Sequence, residues 1–231
     1  MLDIRNKWAL VTGASRGVGL QVAYALAAQG CNLVIHSRKS EHTKPVAQQL
    51  SKDIKVIQLE AELTDIEAVK EMAKKAEELS GGIDILYNNA AVMTAYRTDF
   101  YTATHDEYLK SFLVNTIAPI TICNVIIPQM IKRGFGRVVN VTSGIKDEPQ
   151  LMPYAASKAA LDKFVFDMAL HLKGTGVLMN LMDPGWLRTD LGGPNAPNPV
   201  ESVLPGALVP VLLEEQICGK LFSAQDYSKK S

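Results

Sequence analysis

The chain has 231 residues, 47% of them hydrophobic, and 24 Lys and Arg balance 24 Asp and Glu. That is enough apolar matter for one large core, and zero net charge leaves no basic stripe for nucleic acid and no polybasic segment for a membrane surface. The apolar run Trp8-Ala9-Leu10-Val11 is too short for a signal peptide or a membrane span, and Cys31, Cys123 and Cys218 are too widely spaced for a disulfide framework or a metal site, so free thiols in a cytoplasmic protein without metal are expected.

Lys7 to Thr12 reads as a short buried strand that runs into Gly13-Ala14-Ser15-Arg16-Gly17-Val18-Gly19. Val22, Ala23, Leu26 and Ala27 then recur at helical spacing, and Gly30 ends the helix. Gly13 permits a tight turn, Gly17 lets backbone approach a ligand, and Gly19 lets helix pack on strand. The helix start offers free N–H groups to a pyrophosphate. The spacing is T-G-x-x-x-G-x-G rather than G-x-G-x-x-G, and the competing reading is a glycine turn that serves packing alone.

Cys31 to His36 is the second strand, followed by Ser37-Arg38-Lys39. A dinucleotide fold reads the adenosine ribose there, with an acid for a 2′-hydroxyl or an Arg for a 2′-phosphate. This chain offers Arg38 and no acid, and Arg16 is expected to reach the same place, so NADP(H) is preferred over NAD(H). The alternative is that Arg38 and Lys39 are solvated loop charges. Glu41 to Lys52 reads as a helix and Ile54 to Leu59 as the third strand. Thr64-Asp65-Ile66-Glu67 resembles a capping box that opens a helix ending at Gly81-Gly82.

Ile83 to Tyr87 is the fourth strand, ending at Asn88-Asn89-Ala90-Ala91. A long helix from His105 to about Lys132 carries Asn115, with Pro119 and Pro128 predicting kinks or an early end. The fifth strand, Gly136 to Ser143, puts Ser143 at its tip. A helix then carries Tyr154 and Lys158, four residues apart on one face, and runs to about Lys173. An ammonium about 4 Å from the phenol, at an effective dielectric of about 20, favours phenolate by up to ~4 kcal/mol, on the order of three pKa units. That brings a phenol into the range of a proton donor to an alkoxide. Gly176 to Met182 is the sixth strand, broken by Asp183-Pro184-Gly185-Trp186. Strands alternating with helices predict a doubly wound α/β domain, a parallel sheet with helices on both faces. One domain spans 1–231, with a Gly-, Pro- and Asn-rich substrate lid at about 186–213.

Thr12-Gly13-x-x-x-Gly17-x-Gly19, Asn88-Asn89-Ala90, Asn115, Ser143, Tyr154-x-x-x-Lys158 and Pro184-Gly185 stand together in the order of the classical short-chain dehydrogenases/reductases, which the chain resembles over nearly its whole length. The stretch from Asp183 to Pro199 looks like a carbonyl-reductase-like or C-factor-like subgroup. The resemblance implies a Rossmann fold of about seven strands, the last at Lys220 to Ser223. It implies Tyr154 as general acid or base, Lys158 to lower its pKa and hold the nicotinamide ribose, Ser143 on the substrate oxygen, and Asn115 anchoring a water. It implies cofactor contacts from the glycine turn, from Glu62-Leu63 near adenine, from Asn89, Ala90 and Ala91, and from Pro184, Gly185, Trp186, Leu187 and Thr189. Ala91 departs from the Gly usual there, and the segment from Ser143 to Tyr154 is a little short, which puts the placement of Ser143 in question. Met93, Ile145, Met152, Trp186 and Leu191 are expected to wall an apolar pocket or to pack the lid. The function expected is NADPH-dependent reduction of a small-molecule carbonyl, or oxidation of the alcohol, by a homodimer or homotetramer. The alternative is a regulatory or signalling protein that binds NADP(H) and turns over negligibly. Val165, Met168, Ala169 and Leu172 are read as serving either the subunit interface or the core.

Overall fold

Seven parallel strands lie in the order β3-β2-β1-β4-β5-β6-β7. They are β1 Trp8–Val11, β2 Asn32–Ser37, β3 Val56–Glu60, β4 Ile85–Asn88, β5 Gly136–Val141, β6 Val177–Asp183 and β7 Leu221–Ser223. The computed structural model describes residues 1–228. Chain order reverses between β1 and β4, which opens a crevice at their carboxyl ends, where open α/β sheets bind ligands.

The sheet is covered on both faces because its apolar side chains alternate. Ala9 and Val11 of β1, Leu33 and Ile35 of β2, and Ile85 and Tyr87 of β4 belong to one core. Leu10, Val34 and Leu86, between them, belong to the other. The first core takes in α1 (Gly17–Ala28) and α2 (Lys44–Leu50). The second takes in α3 (Ile66–Ser80), α5 (Ala118–Arg133) and α6 (Met152–His171).

α2 is shorter than its sequence pattern predicts. Pro45 fits only the first turn, so a separate 3₁₀ turn forms over Ser40–His42. At the start of α3, Asp65 rather than Thr64 is the cap, its Oδ1 accepting from Ala68 N at 3.0 Å. A reciprocal capping box forms instead at Thr104 and Glu107, ahead of α4 (His105–Phe112).

The long helix breaks before its prolines. α4 passes into a π-helical turn, Leu113–Ile117, and then into α5. Pro119 has no N–H to offer the carbonyl of Asn115 four residues back, so the α-helical ladder cannot continue there. The segment His105–Arg133 is long and apolar enough to cross a membrane by length and composition. In this fold Val114, Ala118, Ile122, Ile126 and Met130 from it lie in the second core.

The stretch 186–213, expected as a lid, is not surface loop throughout. Residues 200–212 form two 3₁₀ turns and α7 (Val209–Leu212), and Val203, Ala207, Leu208 and Val211 are buried in the first core. Tyr87 donates its hydroxyl to Ala207 O at 2.8 Å, tying this stretch to β4. Only 186–199 remains as a surface loop, closed on itself by a bridge between Leu187 and Asn198.

Candidate active site

The site begins at the glycine turn. Gly13 and Gly17 have φ of 65° and 58°, the left-handed region where glycine alone is unstrained. Gly19 has no room for a side chain, since a Cβ would lie 2.3 Å from Gly13 O and 2.4 Å from Asn89 Nδ2. Three residues brace the turn. The Thr12 hydroxyl accepts from Asn89 N at 2.9 Å and from Ala90 N at 3.1 Å. Asn89 Nδ2 donates to Thr12 O at 2.9 Å and to Gly13 O at 3.3 Å. Buried His36 accepts from Gly13 N at Nδ1 and donates from Nε2 to Ala61 O at 3.1 Å, which makes it the neutral tautomer. Burial pushes its pKa down, in keeping with that state. The bracing by His36 has no motif to announce it.

The start of α1 is an open anion site. No side chain caps it, and its first turn carries no acidic residue. Its free N–H groups and dipole favour a pyrophosphate. Across a narrow gap stands Thr189, whose Cγ2 lies 3.6 Å from where a Cβ on Gly17 would be. Ser15 is half-buried and Val18 packs partly on the core, while Arg16, Arg38 and Lys39 are exposed. Arg16 forms an ion pair with Asp190 at 2.5 Å, joining the glycine turn to the loop after β6. Glu60, on the neighbouring strand, accepts from Ser40 N at 2.9 Å and so holds the turn that follows Arg38. Free N–H groups, glycine backbone and exposed guanidiniums are the donor set that a dinucleotide phosphate needs.

Other expected contacts take different places. Leu63 and Leu187 are core side chains, so only their main chain is free for a ligand. Glu62 is exposed and accepts from Thr64 N. Ala91 is unstrained: among the described residues the non-glycine positive φ values fall at Asn6 and Asp147. Gly185 N donates to Asp183 Oδ1 at 3.0 Å, and Pro184 O accepts from Gln225.

Tyr154 sits in the first turn of α6, 6% exposed. Ser143, just beyond β5, accepts from Ile145 N at 3.3 Å and lies near enough to Tyr154 to oppose the rise of its pKa. Lys158 is buried, its Nζ 6.0 Å from the centre of the Tyr154 ring and donating to Val141 O at 2.7 Å. Asn115 lies in the π turn and spends both amide protons. Nδ2 donates to Val92 O at 2.8 Å and to Ser157 Oγ at 3.0 Å, while Oδ1 accepts from Val92 N. Pro119 has no N–H to offer the main-chain carbonyl of Asn115, which is therefore available to accept from a water.

The electrostatics depart from the sequence expectation. Burial pushes Tyr154 above the ordinary phenol value, and the carboxylates of Asp183 and Asp162 add to the rise. Burial also brings Lys158 down to about 8, with Asp162 opposing. Desolvation, opposed by Ser143, decides the direction for the phenol. Met93 and Ile145 are half-buried, whereas Met152, Leu191 and Trp186 are exposed by 40%, 38% and 60%. Met152 opens α6 and the others lie on the loops at the carboxyl edge of the sheet, giving that edge an apolar rim. Trp186 is held there by its Nε1, which donates to Gly192 O at 2.8 Å.

A family model described as short chain dehydrogenase matches residues 7–199. The chain is 33% identical over 190 residues to Dehydrogenase/reductase SDR family member 4 of Sus scrofa, covering 81% of this chain and 68% of that protein. It is 32% identical over 192 residues to D-beta-hydroxybutyrate dehydrogenase of Cupriavidus necator, covering 81% and 73%. A similar short chain dehydrogenase of Pseudocercospora fijiensis, 31% identical over 196 residues, is matched over 84% of this chain and 63% of its own length. Among solved structures, a short chain dehydrogenase from Burkholderia cenocepacia in complex with NADP superposes with a TM-score of 0.84 at 28% identity, over 96% of this chain and 97% of that one. An NAD+-bound xylitol dehydrogenase has a TM-score of 0.86 at 20% identity, over 96% and 98%, a likeness of fold.

Proposed function

Because this chain belongs to the short-chain dehydrogenase family, we propose that it is an NADP(H)-dependent oxidoreductase of carbonyl-reductase type, with Tyr154 as the proton donor in reduction. The observation that carries the reading is the meeting of Ser143, Tyr154 and Lys158 beside an uncapped helix start framed by glycines. The cofactor, when bound, supplies the hydride. Residues that would hold it are Gly13, Ser15, Arg16, Gly17 and the start of α1 for the phosphates, with Arg38 for a 2′-phosphate. Lys158 would hold the nicotinamide ribose.

The protein's own work is position and a proton. Ser143 orients the substrate oxygen toward Tyr154. Tyr154, kept protonated by burial, gives its proton to the alkoxide as that charge forms. Lys158 offsets the negative charge left on the phenol, and the Asn115 carbonyl anchors a water through which the proton is replaced. The half-exposed apolar rim favours an apolar or aromatic carbonyl compound. The alternative of a binder without turnover leaned on the short segment from Ser143 to Tyr154 and on a likeness to C-factor-like proteins; the family match and a relative named as a dehydrogenase favour turnover. The exposed side chains Leu109 on α4 and Phe166 and Leu170 on α6 favour a homo-oligomer joined through those helices.

The test is Tyr154→Phe. It keeps the ring and removes the proton, so NADPH affinity is expected to stay within a few-fold of wild type while reduction falls by at least ~10²-fold. A variant that reduces its carbonyl substrate at nearly the wild-type rate would remove this mechanism.

A further inference from the structure

We propose that Asp162 is a positioning residue for Lys158: from one turn further along α6, its carboxylate holds the buried ammonium charged and in place behind Tyr154.

Three observations carry this. Lys158 is 3% exposed, and a buried ammonium needs a counter-charge. Among the described residues its hydrogen-bond partner is the neutral carbonyl of Val141, which orients the ammonium and does not balance it. Asp162 stands four residues beyond Lys158 on the same helix face. No direct ion pair forms between them, so the interaction acts through space. The carboxylate itself lies in a confined place. Its Oδ1 is buried and completes no hydrogen bond, and the same holds for the hydroxyl of Thr142, which faces it from the end of β5. A half-buried acid left short of hydrogen bonds is costly unless a charge compensates it.

The charged and titratable groups that face this pair are Tyr154 on α6 and Asp183 at the end of β6. Asp183 works against Asp162, since two neighbouring acids raise each other's proton affinity. Among the described residues Lys158 is the cation that favours ionised Asp162, beside the hydroxyl of Thr142. The two charges thus support each other, and the ammonium receives what Val141 cannot supply.

The inference rests on the reading that Lys158 serves Tyr154, but its test reads Lys158 directly. With lysine labelled at Cε by ¹³C, the Lys158 signal is the one lost in Lys158→Met. In Asp162→Asn its titration midpoint is expected to fall by about one pH unit, and the alkaline limb of kcat/KM should move with it. Asp162→Glu should restore both. An unchanged midpoint in folded Asp162→Asn would overturn the proposal. A packing role alone would leave the midpoint where it was. Should Asp162→Asn fail to fold, the wild-type signal suffices: it must show a second inflection on the acid side as Asp162 protonates, and a single inflection overturns the proposal. Absence of turnover on every substrate would sink the enzymatic reading and leave the midpoint shift intact, so the two failures are distinguishable.

Discussion

At the scale of the residue, Lys158 is the group that trades stability for function. Its pKa in the folded protein, about 8 against 10.5, means that the folded state binds fewer protons than the unfolded chain between those values. Stability therefore rises with pH through that window, and below it the full cost of burying the charge is present. That cost is on the order of 3 kcal/mol. Lys158→Met should raise the thermal unfolding midpoint at pH 7, and the gain should shrink as pH climbs past 8. Calorimetry across pH checks both. The same titration governs activity: kcat/KM for reduction, which reports the free enzyme, should fall as pH rises through about 8. Arg38 is the second residue with a single-site test. A charge-assisted bond to a 2′-phosphate is worth about 1.5–3 kcal/mol, so Arg38→Asp should weaken NADPH by roughly 10- to 100-fold and spare NADH. Fluorescence titration measures it, and a wild-type protein that uses both cofactors equally would contradict the assignment. Cys31 and Cys123 are free and buried, as expected of them, and burial pushes their thiols up to about 12.

At the scale of the element, the glycine turn and the π turn do the positioning. The glycine turn works because α1 lies against it so closely that Gly19 meets Gly13 O. Gly19→Ala forces the two apart and should cost about 1–3 kcal/mol together with most of the NADPH affinity. Gly81, in the left-handed cap of α3 with nothing within 4 Å of its missing Cβ, is the control. Its replacement by Ala should cost roughly 1 kcal/mol and leave binding intact. Thermal unfolding and NADPH titration of the two variants separate a steric role from a conformational one. The π turn has a different task. By widening the helix at Leu113–Ile117 it lets Asn115 bond both the strand exit at Val92 and the helix of Tyr154 through Ser157.

At the scale of the whole molecule, the two-sided core determines which helix faces remain uncovered. Val165 of α6 and Leu172, its C-cap, are buried in the second core, and Met168 packs against it. Of the residues weighed for a subunit interface or the core, Val165 and Leu172 serve the core, and Met168 and Ala169 are half-buried. The exposed positions lie between them: Phe166 at 45% and Leu170 at 80%. Because α4 packs on α6, exposed Leu109 belongs to the same helix pair. Leu170→Glu is expected to shift the protein to a smaller species, with Tyr154 and its neighbours undisturbed. Size-exclusion chromatography with light scattering decides it, and an unchanged mass would place any interface elsewhere.

What the sequence determined by itself was everything encoded over short range. The alternation of strands and helices follows from periodicity, and six strands lie close to where the pattern puts them, the seventh where the family resemblance puts it. Gly13, Gly17 and Gly19 are legible because their spacing reflects local backbone geometry, and Tyr154 and Lys158 because four residues make a helical turn. What only the tertiary structure decided depends on partners far apart in the chain. Thr12, His36 and Asn89 brace the turn from three different strand ends. Arg16 meets Asp190 across the cleft, and residues 200–212 turn inward because α1 offers them an apolar face. The sign of the Tyr154 shift belongs here too. Sequence shows the cation one turn away, but desolvation is a property of everything packed around the phenol, and that packing exists only once the sheet and its helices have closed.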